Sequence, residues 1–404
     1  MNAESHELPA DIMELQMGPS HPATHGTIKF NLKLKGEKVL ACDVEVGFLH
    51  RGFDKSCEQA TWTQVIPYTD RLNYASSLIN NVGYALAVEK LIGAETPPRC
   101  QYIRVIVSEL ARIHDHLTCC GMAASELGAI TAGFYMIEAR EMITRITEYL
   151  TGARLTVTYV RIGGLKHDLP RDFSKRVRQS FQTIRKIVDD CDRLLSRNRI
   201  FIDRMSNVGV ISRETAIGYS LTGPILRATG INYDVRKAFP YLVYDQFDFD
   251  VPLGSKGDNY DRFVCRTQEI EQSMRIIEQA LEKLPVGPVW IDDPRFVLPE
   301  KEKVYNSIEG LMHHFKIIME GIHVPAGETY FAVEGGNGEL GFYIVSDGGG
   351  RPYRMRVRPP CFIAMGAFHK MIEGYMVADI VPTFGMVNMI GGECDRWPHG
   401  LGDE

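Results

Sequence analysis

The chain has 404 residues, with 45 Lys+Arg against 51 Asp+Glu for a formal net charge of −6, and 45% of its residues are apolar. That balance excludes a disordered chain and a dedicated nucleic-acid binder, which carries a basic domain or stripe. The stretch Met1 to Leu15 holds Glu4, Glu7, Asp11 and Glu14 and no apolar core, so it does not read as a secretory signal; no apolar run reaches the ~18 residues of a spanning helix.

In chain order, residues 1–60 read as an antiparallel β meander. Residues 12–17, 28–34 and 39–48 alternate apolar and polar side chains, with a turn at Gly36-Glu37-Lys38. Between the first two strands lies the loop Gly18-Pro19-Ser20-His21-Pro22-Ala23-Thr24-His25-Gly26, whose prolines and glycines oppose a helix. His21 and His25 sit there on a loop held by a scaffold, a position suited to a ligand, although a lone loop histidine more often stabilises a turn.

From about Leu72 the period becomes helical. Ile103, Ile106, Val107, Leu110, Ile113 and Leu117 form one stripe, and Glu109, Arg112 and His116 share a second face read as a polar helix surface. Cys119 and Cys120 follow it; successive helical side chains diverge by about 100°, so the two read as packing residues rather than chelators. Further helices are expected over 133–150, from Pro170 through a heptad stripe (Phe173, Val177, Phe181, Ile184, Val188, Cys191, Leu195), over 262–284 and over 303–319. The segment 161–204 carries twelve Lys/Arg against six Asp, a net of +6 read as a solvated outer face.

Strands return at 329–333, 341–345 and 352–357. Gly336-Asn337-Gly338-Glu339-Leu340-Gly341 matches the dinucleotide fingerprint, but Phe342-Tyr343-Ile344-Val345 after it reads as a strand where that motif requires a helix. A glycine-rich hairpin turn is expected instead. Arg354, Arg356 and Arg358 line one strand face, the pattern of an exposed face or of a surface for an acidic partner. With no composition break or repeat, residues 1–404 read as one large α+β domain: the meander 1–60, a helical bundle over 70–320, and a second meander with a tail over 323–404.

The nine cysteines contain no C-x-x-C pair, the clustered spacing by which zinc and Fe–S sites announce themselves, so no resident metal or cluster is expected. On residues alone two classes survive, a redox or ligand-binding subunit and a scaffold of an assembly.

Several long words separate them. Gly18 to Gly26, Gly47-Phe48-Leu49-His50-Arg51-Gly52-Phe53-Asp54-Lys55, Asp70-Arg71-Leu72-Asn73-Tyr74, Leu221-Thr222-Gly223-Pro224 with Leu226 to Gly230, Asp234-Val235-Arg236-Lys237 and Val345-Ser346-Asp347-Gly348 resemble the D-type (49-kDa) subunit of respiratory complex I, itself similar to the large subunit of nickel–iron hydrogenases. The resemblance runs through nearly the whole chain in the family's order.

It implies a hydrogenase-large-subunit-like fold and a place in the peripheral arm of a proton-pumping NADH:quinone oxidoreductase, on the cytoplasmic side of the cell membrane. The implied partners are the small subunit with the terminal [4Fe–4S] cluster, a C-type subunit, a ferredoxin-like two-cluster subunit and the membrane subunits at the quinone entry. FMN and the Fe–S clusters would belong to other subunits, and quinone would be substrate here. The resemblance assigns His25 and Tyr74, with His21, to the quinone headgroup. It assigns Glu126 as the carboxylate coupled to the loop histidine; the family usually has Asp, so this side chain is one methylene longer. Arg51, His116 and a supporting Arg112 would lie beside the partner's cluster. The C-terminal Gly391-Gly392-Glu393-Cys394-Asp395-Arg396 departs from the family's F-G-E-V-D-R-like word, so Asp395 and Arg396 carry over weakly. The nickel-binding thiols of the hydrogenases are missing, and Thr69 to Tyr74 occupies the stretch where the first pair would stand. Related oxidoreductases that take electrons from a ferredoxin or deazaflavin donor, and a non-catalytic scaffold, are the alternatives.

Overall fold

A computed structural model describes residues 11–396. The segment before residue 11, which carries most of the stretch read against a secretory signal, and the tail after residue 396 lie outside the described residues.

Alternation builds the first layer. Strands β1 (Met13–Met17), β2 (Lys29–Lys35) and β3 (Lys38–Glu45) pair antiparallel in that order. Phe30, Leu32, Leu34 and Val39 point into a core while Lys33 and Lys35 face water. The meander is shorter than expected. Gly52, at φ 64°, turns the chain into helix α1 (Phe53–Gln59) inside the stretch 1–60 read as the meander.

The bundle follows: α2 (Ser77–Ile92), α3 (Pro98–Glu126), α4 (Ile130–Thr151), α5 (Phe173–Leu195), the short α6 (Gly223–Ala228) and α7 (Asn259–Glu282). The stripe of α3 is buried as expected, and the heptad stripe of α5 faces inward except for a partly buried Val188. Two expectations need correction. Glu109, Arg112 and His116 are not a helix surface: α7 packs on that face and all three have no exposure. The helix expected over 303–319 is broken by Ser307, whose extended backbone and side chain cap α8 (Ile308–Met319) through Gly310 N–H at 2.9 Å.

Strands β4 (Gly327–Glu334), β5 (Glu339–Ser346) and β6 (Arg354–Arg358) form the second antiparallel meander. The fingerprint-like glycines make its first hairpin, closed by Gly335 N–H on Gly338 O at 2.7 Å. The stretch read as a tail is largely helical, with α9 (Pro360–Ile372) and α10 (Ile380–Val387). Short length and interior glycines hid both, and burial of nearly every residue of α10 stabilises what local preference alone would not. Together these helices cover the N-terminal meander: Phe30 stacks on Phe368 at 5.0 Å, and Phe384 meets both rings edge-on. A second hydrophobic core thus lies beside that of the bundle, and the candidate site occupies the seam between them.

Candidate functional site at the seam of the two cores

The loop 18–26 is rigid for identifiable reasons. Gly18 stands at φ 92°, and a Cβ there would lie 2.4 Å from Ile28 O, so only glycine fits. Pro22 to Thr24 form one 3₁₀ turn despite the two prolines, because Pro22 occupies the first position, where its missing N–H is no loss. His21 caps this turn, its Nδ1 accepting Ala23 N–H at 3.1 Å. His25 closes it in the left-handed region at φ 52°. Its ring packs edge-on to Phe384 with centroids 5.0 Å apart, and its Nε2 lies 3.3 Å from Glu126 Oε1. The longer side chain of Glu126 therefore reaches the loop histidine from the last turn of α3. Its other oxygen, Oε2, is buried without a partner and lies where a Cβ on Gly385 would come within 2.7 Å.

Tyr74 opens a 3₁₀ turn capped by Asn73, whose Oδ1 accepts the N–H groups of Ala75 and Ser76. Asn80 Nδ2 donates to Thr69 O and Asn73 O, holding both ends of this word. Asp70 takes the backbone N–H and hydroxyl of Thr158, a β-branched residue strained at φ 45°. The Tyr74 ring remains 40% exposed. Burial of its inner side and the nearby Cys361 push its phenol pKa up, against the opposing pull of Arg51. The phenol therefore keeps its proton at neutral pH.

Arg51 is fixed by the C-terminal word. Asp395 accepts its backbone N–H at 2.9 Å and its Nε at 3.0 Å, while Nη1 and Nη2 donate to Arg71 O and Gly392 O. His50 Nδ1 lies 2.9 Å from the same carboxylate. The turn Gly391–Cys394 fits between the words because it lacks side chains at the contact. A Cβ on Gly392 would lie 2.2 Å from Leu72 O, and one on Gly391 2.9 Å from Thr27. The one signal for this contact in the sequence is the tight glycine pair followed by an acid, and it carries little weight without the fold.

Of the three residues set beside a partner's cluster by the resemblance, only Arg51 reaches the surface. Arg112 donates to Glu334 O and Gly335 O, both at 2.8 Å, and pairs with Glu109 at 3.1 Å. His116 Nε2 lies 2.8 Å from Glu269, and its Nδ1 faces Arg266 at 3.4 Å. A guanidinium only donates, so Nδ1 accepts and Nε2 carries the hydrogen. Burial, the largest influence, holds this imidazole below its ordinary pKa and hence neutral. The same interior network joins Arg227, Asp234, Arg236 and Glu334, all fully buried. The arginine row on β6 is also largely engaged, Arg356 with Asp54 at 2.9 Å and Arg358 with the carbonyls of Glu339 and Ser220. Among the described residues, no three His, Cys, Asp or Glu side chains group so as to hold a metal ion, and no helix is long and apolar enough to cross a membrane.

Residues 126–396 match the family of the respiratory-chain NADH dehydrogenase 49 Kd subunit. The chain is 57% identical over 391 residues to the D 1 subunit of NADH-quinone oxidoreductase from Sorangium cellulosum, covering 96% of this chain and 97% of that protein. It is 54% identical over 384 residues to the D subunit of the same enzyme from Myxococcus xanthus, covering 95% and 92% of the two chains. To the C/D subunit from Bdellovibrio bacteriovorus it is 48% identical over 393 residues, 96% of this chain but 70% of that longer protein. With residues 126–396 matched to the family and relatives more than half identical over 95–96% of its length, the chain belongs to the 49-kDa (D) subunit family of the respiratory-chain NADH dehydrogenase.

Proposed function

We propose that this chain forms the quinone-headgroup site of an NADH:quinone oxidoreductase, next to the terminal Fe–S cluster of a small partner subunit. The observation that carries the reading is the His25–Glu126 pair at 3.3 Å on the rigid loop, in a chain whose Tyr74 is also left exposed. Reducing a quinone takes two electrons and two protons. An imidazole and a phenol held protonated are suited to donate to, or polarise, two carbonyl oxygens. Glu126 orients the imidazole, and His21 shapes the loop through its cap. Arg51, locked by Asp395, offers a fixed positive charge toward the partner's cluster, which favours the reduced cluster and raises its potential. Arg112 and His116 support that wall from inside. FMN and the clusters belong to other subunits in this reading.

The names of the relatives support NADH as the donor of the complex. The C/D protein supports a C-type neighbour. The exposed apolar side chains Ile308, Leu311, Phe315 and Ile318 of α8 support life inside an assembly; in this reading the chain sits peripheral to the membrane on its cytoplasmic side. Further neighbours are the two-cluster subunit and the membrane subunits at the quinone entry, where coupling to proton pumping begins. In the assembled complex, His25→Ala and Tyr74→Phe are each expected to lower quinone reductase activity on the order of 100-fold while the cluster's EPR signal persists. Normal turnover in both variants refutes the assignment.

A further inference from the structure

His114, on α3, is buried, and neither the His25–Glu126 pair nor the network around His116 uses it. Its Nδ1 lies 2.7 Å from Ala75 O, the carbonyl of the residue that follows Tyr74. A carbonyl only accepts, so Nδ1 carries the hydrogen and donates it. Burial, the largest influence, lowers the pKa of this imidazole to about 4. The ring is therefore neutral near pH 7, and Nδ1–H is its single donor.

The carbonyl on the other side of Tyr74 is held as well. Asn80 Nδ2, from α2, donates to Asn73 O at 2.9 Å and to Thr69 O at 3.0 Å, and this side chain too is buried. Two buried donors from two different helices thus grip the backbone immediately before and immediately after the tyrosine. The ring itself is exposed, so the packing around it holds it less firmly than a core side chain is held. Its place is set through the backbone of the turn Tyr74–Ser76. Helix α3 thereby serves both residues of the headgroup reading: Glu126 in its last turn meets His25, and His114 meets the turn of Tyr74.

We propose that His114 is a positioning residue for the quinone site: by donating to Ala75 O it fixes where the Tyr74 phenol stands against the headgroup, while Asn80 fixes the other side of the same turn. This deepens the headgroup reading and rests on it. In this role His114 touches no quinone and moves no proton, and its effect on the reaction runs through Tyr74. An apolar side chain in its place leaves the carbonyl of the buried Ala75 without that donor, and the turn shifts toward another partner. A shift of about 1 Å in a group that polarises a reacting oxygen costs up to about 100-fold in rate.

The test uses the assembled complex, with the cluster's EPR signal as the check on assembly. His114→Leu is expected to lower kcat/KM for quinone about tenfold, and His114→Asn, whose Nδ2 takes the place of Nδ1, to restore most of it. In a Tyr74→Phe background, His114→Leu is expected to add less than about twofold, because a residue that acts through the phenol has nothing to act on once the phenol is gone. Where His114→Leu fails to assemble, His114→Gln, whose amide stands nearer the Nε2 position and away from Ala75 O, takes its place in the cycle. A parent-like rate in the donor-less variant, a loss in His114→Asn equal to it, or an undiminished loss on top of Tyr74→Phe overturns the positioning role; with Tyr74→Phe itself impaired, the headgroup reading still stands. Normal turnover in Tyr74→Phe overturns both.

Discussion

Two buried glutamates respond to charge in opposite ways. Glu109 is surrounded by Arg112, Arg236, Tyr244 and Ser273, and despite full burial the two arginines hold its pKa down to about 2. Its stabilising contribution is present above the unfolded value of 4.5 and disappears as pH falls toward 2, an effect of about 3 kcal/mol. Glu393 has no arginine in ion-pair contact among the described residues, and burial raises its pKa to about 7. Its contribution is full below 4.5 and disappears as pH rises through 7. Glu109→Gln therefore leaves two buried guanidiniums short of their partner and is expected to cost about 3 to 5 kcal/mol, whereas Glu393→Gln is expected to be neutral or stabilising at pH 8. Denaturant melts of the two variants against the parent check the contrast; equal destabilisation would contradict it.

At the level of elements, the site depends on short irregular segments pinned between long helices. The stripes of α3 and α5 were legible from periodicity, because 3.6-residue spacing survives whatever packs on it. The second face of α3 was not: a run of Glu, Arg and His has the same spacing whether it meets water or the partner charges of α7, and only burial separates the two. The helices α9 and α10 were missed because their apolar, glycine-containing sequences carry no amphipathic period, being buried on most sides. The turn after α10 makes the sharpest prediction. Gly392→Ala would drive a methyl into Leu72 O at 2.2 Å and displace the Asp70 to Tyr74 word. Quinone reductase activity is expected to fall with the complex still assembled; an unchanged KM for quinone would show that the turn does not position Tyr74.

Across the full chain, the seam couples two cores through the last described residues. Asp395, some 340 positions from Arg51 in sequence, locks the one residue of its expected trio that faces outward. In the assembled complex, Arg51→Ala is expected to shift the terminal cluster's midpoint potential to lower values by removing a positive charge, as a redox titration would report. An unchanged titration would place Arg51 away from the cluster.

The α+β class, the two meanders, the main helices and the family could all be read from the order of residues alone, because alternation, helical period and long motif words are local properties of the chain. His25, Glu126, Tyr74 and Arg51 entered as candidate site residues through the resemblance. Three features needed the folded chain: Arg112 and His116 lie wholly inside, the C-terminal word clamps Arg51, and Glu393 is buried with no ion pair among the described residues. Desolvation and charge pairing depend on which distant segments close over a residue, and that information is absent from its neighbours in sequence.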